Sequence, residues 1–220
     1  MLDLQPLGDR AFLARFGLES DAQGWAREVR KRSIPGIVDV AVAYATAAVF
    51  LDPDQVDPTG LEGTLREIKP GLNPPSSGCL ILVPVLYDGD DLAEVAAATD
   101  LTEREVVERH GSVDYTVFAL GFLPGFPYSG YLPQPLSGLA RKTSPRSRVP
   151  SGSVAIAGRQ TGIYPAESPG GWRLLGRTPL VIVDFARGFF PIRPGDRLRF
   201  VPIDEGTLIA RLGEPIALAE

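Results

Sequence analysis

The side chains of this sequence best suited to chemistry on an anion lie in one stretch, Tyr115 to Ala166. It contains Arg141, Lys142, Arg146, Arg148 and Arg159 and no Asp or Glu. The whole sequence has 27 acidic residues in 220 positions, so by proportion about six belong there. The formal net charge is −5, which leaves −10 for the remainder once these five cations are set aside (−5 − 5). Guanidinium groups without neighbouring carboxylates suit a carboxylate or phosphate, because their planar fork donates paired hydrogen bonds. The run Arg141–Arg148 has the composition of an ordinary solvated surface segment, but the missing carboxylates point to a loop that faces an anion.

Two glycine-punctuated segments flank that loop. Gly121-Phe122-Leu123-Pro124-Gly125-Phe126-Pro127-Tyr128 reads as a rigid aromatic loop: glycine permits close backbone approach, and proline reduces the ordering cost of binding. A space-filling plug accounts for it equally well. In Gly158-Arg159-Gln160-Thr161-Gly162-Ile163-Tyr164-Pro165, the side chains of Gln160, Thr161 and Tyr164 are neutral donors for a carbonyl or carboxylate. No Gly-Lys-Ser/Thr follows, so this is not a phosphate-binding P-loop. The single histidine, His110, closes a helix, where a helix-end cation is the commoner role. The single cysteine, Cys79, reads as a core residue at the head of an apolar strand. One Cys and one His exclude an internal disulfide and the usual zinc motifs, and no metal site is expected.

The elements that must hold these residues are mostly strands. Gly and Pro together make 24 + 21 = 45 of the 220 residues, well above the usual ~12%, which favours a turn-rich β body. Strands are expected at Leu2–Gln5, Ala11–Phe16, Val38–Tyr44, Ala47–Leu51 and Cys79–Leu86. Between them lie a helix capped by Ser20 or Asp21 and a second with Asp57 as cap and Pro58 in its first turn. This order gives an α+β domain over residues 1–85. Two short helices follow, Asp91–Thr99 and Glu103–His110, the second opened by a Thr102/Glu105 capping box. They resemble a helix-turn-helix, but Asp88 to Arg109 carries eight acidic and two basic residues, so phosphates would be repelled and no nucleic acid is expected. Strands at Tyr115–Leu120, Ser153–Ala157, Leu180–Phe185 and Arg197–Pro202 then suggest a β-barrel domain over residues 86–220. The uncharged run Tyr115–Ala140 is long enough for a bilayer, but four Pro and four Gly prevent a continuous helix. A cytoplasmic protein with no membrane contact is expected.

Read together, Gly8-Asp9-Arg10-Ala11, His110, Tyr115, GFLPGFPY (121–128), Arg141, PRSRVPSGSVAIAGRQTGIYP (145–165), SPGGWRLLGRTP (168–179) and Pro194-Gly195-Asp196 resemble the allophanate hydrolase subunit 1 family. That family is also described as the B-type subunit of 5-oxoprolinase and as the KipI-type histidine kinase inhibitor. The resemblance implies a cyclophilin-like barrel as the second domain. It also implies a sibling protein, allophanate hydrolase subunit 2 or its counterpart, the C-type subunit of 5-oxoprolinase. A lactam-utilisation subunit is a possible third component. The resemblance further implies ATP-dependent opening of 5-oxoproline, with ATP bound by or shared with partners and no biotin site evident in this chain. Allophanate or urea-type carboxyltransferase chemistry and inhibition of a sensor histidine kinase through the aromatic loop are the alternatives. Under the first reading Arg141 and Arg146 hold a carboxylate or phosphorylated intermediate, and Gln160, Thr161 and Tyr164 position the amide carbonyl. Phe122 and Phe126 line the substrate, and His110 serves as general acid or base. Tyr131 stands where the family often has glycine, and is expected to narrow substrate access.

Overall fold

The computed structural model describes residues 2–71 and 78–217. The chain divides into two compact units, Met1–Ser77 and Gly78–Glu220. In the first, β1 (Asp3–Pro6), β2 (Ala11–Arg15), α1 (Glu19–Lys31), β3 (Ile37–Ala43), β4 (Thr46–Leu51) and α2 (Pro58–Glu67) follow in order. The strands form an antiparallel sheet, β1-β2-β4-β3. Alternation in β4 buries Ala47, Val49 and Leu51, and these join Trp25 and Val29 of α1 and Leu61 and Leu65 of α2 in one core. Asp57 caps α2 as expected, accepting from the Thr59 and Gly60 N–H groups. The cap of α1 is different: Leu18 occupies that position with no side-chain hydrogen bond. Ser20 and Asp21 lie inside the first turn, where Glu19 and Asp21 complement the helix dipole instead. In β3 a register shift between Ile37 and Asp39 breaks the alternation, so Val40 and Val42 are buried while Val38 is exposed.

The second unit begins earlier than the boundary expected at residue 85. Strand β5 (Leu80–Val85) pairs in parallel with β13 (Arg197–Pro202) along its whole length. Buried Asp196 fixes this start: its two carboxylate oxygens accept from the Cys79 N–H at 3.0 Å and the Arg193 N–H at 2.7 Å. Cys79 itself is exposed, one residue ahead of the strand, and not a core residue. After β5 come α3 (Leu92–Thr99), α4 (Glu103–Gly111), β6 (Tyr115–Leu120), β7 (Pro127–Gly130), β8 (Arg146–Val149), β9 (Ser153–Ala157), β10 (Gln160–Ile163), β11 (Ser168–Gly170) and β12 (Arg173–Arg177). Helix α5 (Glu205–Ala210) follows β13. The Thr102/Glu105 capping box opens α4 as expected.

The strand path runs β5-β13-β6-β7-β10-β9-β12, antiparallel except at β5/β13, and β8 pairs with β11 in a separate ribbon. The unit is thus mixed α+β around a large, mainly antiparallel sheet. Its two edges meet at a single bridge, Leu86 with Arg177, whose N–H groups donate to each other's carbonyls at 2.9 Å. Beyond Leu86 the chain turns into α3, and only the Gly89 and Asp91 N–H groups still reach β12, at the Leu175 and Leu174 carbonyls. The expected strand Leu180–Phe185 does not form. The run contributes buried Leu180, Ile182 and Val183 to the core and makes only isolated bridges, because a short apolar run marks burial without specifying backbone pairing.

Candidate functional site

The aromatic loop makes the first wall of a pocket in the second unit. Within it the Leu123 N–H donates to the Gly121 carbonyl at 2.7 Å and the Phe126 N–H to the Leu123 carbonyl at 3.0 Å. Phe122 and Gly125 have φ of 64° and 84°. A Cβ at Gly125 would overlap the Val183 side chain, so glycine is required twice over there. This tight turn points Phe126 inward, 1% exposed, and leaves Phe122 at the surface, 60% exposed. The Phe126 ring lies edge-on to Tyr128 at 5.0 Å, Tyr164 at 5.2 Å and Trp172 at 5.3 Å. These rings, with Phe122, Arg141, Lys142, Pro145 and Pro169–Trp172, enclose about 230 Å³. The Tyr164 hydroxyl accepts the backbone N–H of Trp172, and burial raises its pKa, so it stays protonated with its own hydrogen free to donate. Gly170 is packed so tightly on that hydroxyl that a Cβ would displace it.

The basic loop is not the unpaired cluster that composition suggests. The residue that precedes α3, Asp91, and Glu94 in its first turn bring carboxylates to it. Asp91 Oδ1 accepts from Lys142 Nζ at 2.7 Å and Arg146 Nη2 at 2.8 Å, and Oδ2 accepts from the Leu174 N–H at 2.8 Å. Burial of this carboxylate opposes its charge, but the bonds from Arg146, Lys142 and Leu174 outweigh that and hold its pKa at about 2. Glu94 accepts from Lys142 Nζ at 2.6 Å and from Arg173 Nε at 3.1 Å. Arg148 pairs with Glu167 at 2.5 Å. Arg146, expected to hold substrate directly, is therefore committed to Asp91, with its Nη1 buried and without a partner. Arg141 is exposed and lines the pocket, and among the described residues no carboxylate pairs with it.

The remaining expected site residues are elsewhere. His110 is fully buried, stacked on Phe200 at 4.5 Å, and does not line the pocket. Its Nδ1 lies 2.7 Å from the Tyr87 hydroxyl and its Nε2 2.8 Å from Thr161 Oγ1, while Thr161 Oγ1 donates to the Ala155 carbonyl at 3.2 Å. Thr161 has one proton, so the chain of donors runs Tyr87 O–H to Nδ1, then Nε2–H to Thr161, then Thr161 to Ala155. That makes His110 a neutral imidazole, and burial lowers its pKa to about 3. It is a core hydrogen-bonding residue and cannot exchange protons with a pocket ligand. Thr161 is likewise buried in this network, away from the pocket. Gln160 sits in β10 opposite Gly130 and Ala157 and does not line the pocket. Tyr131 packs at a tilt against Phe118, ring centroids 4.9 Å apart, with the Arg159 guanidinium 3.8 Å above it, and does not line the pocket. Of the eight expected residues, Phe122, Phe126, Arg141 and Tyr164 come together.

Trp172, Tyr128, Lys142 and Asp91 complete the surroundings; Tyr128 and Lys142 belong to the aromatic and basic loops read from sequence, while Trp172 and Asp91 had no site role there. Pro169-Gly170-Gly171 reads locally as a turn, which draws attention away from the adjacent Trp172. Asp91 is one of many acids ahead of α3, and nothing local distinguishes it. Among the described residues no cluster of His, Cys, Asp or Glu could hold a metal ion, and no helix is long and apolar enough to cross a membrane.

Comparison with known proteins adds to this geometry. The family description "Carboxyltransferase domain, subdomain C and D" matches residues 2–189. The B-type subunit of the 5-oxoprolinase of Escherichia coli O157:H7 is 43% identical over 86% of this chain and 89% of its own length. That of Bacillus subtilis (strain 168) is 34% identical over 92% and 93%. The solved structure of TTHA0988 superposes with a TM-score of 0.81 at 38% identity, covering 89% of this chain. The matched part is 40% of the TTHA0988 chain.

Proposed function

This chain belongs to the family of 5-oxoprolinase B-type subunits, within the carboxyltransferase subdomain C and D group, and we propose that it is a non-autonomous subunit of an ATP-dependent 5-oxoprolinase. The observation that carries the reading is the aromatic pocket with Arg141 at its wall. A five-membered lactam bearing one carboxylate has a flat apolar ring for Phe126, Tyr128 and Trp172 and an anion for Arg141. The Tyr164 hydroxyl then donates to the lactam carbonyl. Urea has no carboxylate for Arg141, which favours the lactam over urea.

The pocket lining includes no carboxylate, Ser, Cys or His. The chain's task is therefore to bind, orient and partly desolvate the ring, and the groups that activate and attack the amide come from sibling subunits. ATP belongs with those subunits too. At about 230 Å³ the pocket is below the usual ~300–1,000 Å³ of ligand sites, and one free guanidinium does not match a triphosphate. The reading that the second unit corresponds to the cyclophilin-like domain of this family is supported by the Leu86–Arg177 bridge, where its sheet edges approach, although the sheet does not close into the expected barrel. The complex works in the cytoplasm.

Co-expression of this chain with its sibling subunits tests the reading: 5-oxoproline-dependent ATP hydrolysis is expected from the complete set and lost when this chain is omitted. Undiminished activity without it would show that the pocket is dispensable.

A further inference from the structure

The ions around the pocket balance with one exception. Lys142, Arg146 and Arg173 are matched by Asp91, Glu94 and Asp90, the last at 3.7 Å from Arg146. Arg141 is embedded in the same loop yet is left out of the pairing. Its backbone is held on both sides: the Ala140 carbonyl accepts from Arg173, and the Lys142 N–H donates to the Gly171 carbonyl at 2.7 Å. Lys142 also lines the pocket, but Asp91 and Glu94 hold its ammonium.

We propose that Asp91 and Glu94 are positioning residues that set the charge of the pocket, neutralising Lys142 and Arg146 so that Arg141 alone remains and the site selects ring compounds with a single carboxylate. This deepens the reading given under the proposed function and rests on it for the identity of the ring. The Asp91 side chain is 3% exposed and makes its three hydrogen bonds to a loop and two strands, so it holds Lys142 and Arg146 against Leu174 as one block. An uncharged replacement of either acid leaves the block with one excess positive charge and loosens the hold on the Lys142 ammonium at the pocket wall. A second anionic group on the ligand then gains a partner it lacks in the natural protein.

The test is direct titration of the full chain, read by Trp172 fluorescence at the pocket wall, since the other tryptophan, Trp25, is buried in the core of the first unit. Three probes differ in charge: the uncharged lactam pyrrolidinone, 5-oxoproline, and a cyclopentane dicarboxylate. Arg141→Ala should weaken 5-oxoproline roughly 10- to 100-fold and leave pyrrolidinone within about twofold. Asp91→Asn should shift the ratio of dicarboxylate to 5-oxoproline affinity at least about fivefold toward the dicarboxylate. Glu94→Gln, at a more exposed position, should shift it the same way and serves if Asp91→Asn does not fold. A merely structural role for these acids would lower stability without changing the charge preference. The proposal is overturned by an unchanged ratio in the folded acid variants, by unchanged 5-oxoproline binding in Arg141→Ala, or by no carboxylate binding at all. Titration does not depend on turnover, so a reconstituted complex without 5-oxoproline-dependent ATP hydrolysis would count against the 5-oxoprolinase reading alone.

Discussion

Two residues show how much environment alters the chemistry of a side chain. His110 is the one histidine, yet burial and two hydrogen bonds fix it as a neutral link between Tyr87 and Thr161. Its folded pKa, about 3, lies below the unfolded value near 6.5, so protons bind the unfolded chain more tightly. The resulting stability is complete above about pH 6.5 and is lost as pH falls toward 3, at up to about 1.4 kcal/mol per pH unit. Denaturant titrations at pH 7 and pH 5 should show this loss in the natural protein and a smaller one in His110→Gln. An equal loss in both would show that His110 does not titrate in this way. Tyr164 has the opposite character, since it stays at the pocket with a free hydroxyl proton. Tyr164→Phe removes the one neutral hydrogen bond to the ligand, worth about 0.5–1.5 kcal/mol, along with the acceptor of the Trp172 N–H, and should raise the 5-oxoproline KM of the complex at least roughly two- to tenfold.

At the scale of elements, close approach of strands to the 86–91 segment positions the acids of α3. A Cβ at Gly176 in β12 would overlap the Leu86 carbonyl, and one at Gly89 would meet the Leu175 backbone at 2.5 Å. These contacts let the chain lie flat on β12 and bring Asp91 to the Leu174 N–H. Gly176→Ala should therefore cost about 1–3 kcal/mol and disturb the Lys142/Arg146 pairing as well. Thermal melts together with the dicarboxylate titration would show both effects, and a variant as stable as the parent would refute the packing argument. Signals confined to one element were legible: the Asp57 cap, the Thr102/Glu105 box and the strand at Ala47–Leu51 all formed. The failures, at Ser20/Asp21 and at Leu180–Phe185, came where several local conformations suit the same residues and tertiary contacts choose between them.

For the molecule as a whole, the core of the first unit, built on Trp25, and the cores of the second draw on separate sets of residues. Trp25→Ala should cost the first unit about 3–5 kcal/mol while 5-oxoproline still perturbs Trp172. Loss of that response in a variant whose second unit remains folded would show the pocket to depend on the first core. From sequence alone, composition and short-range pattern determined an α+β chain with a turn-rich second half, and they pointed to the aromatic loop, Arg141 and Tyr164, which the fold brings to one pocket. They could not determine which cations are free. Asp91 lies 51 and 55 positions from Lys142 and Arg146, and His110 lies 51 from Thr161. In a segment without carboxylates in its own sequence, Lys142 and Arg146 are neutralised by carboxylates folded in from the start of α3. Charge interaction depends on distance in space, and only the tertiary structure sets that distance.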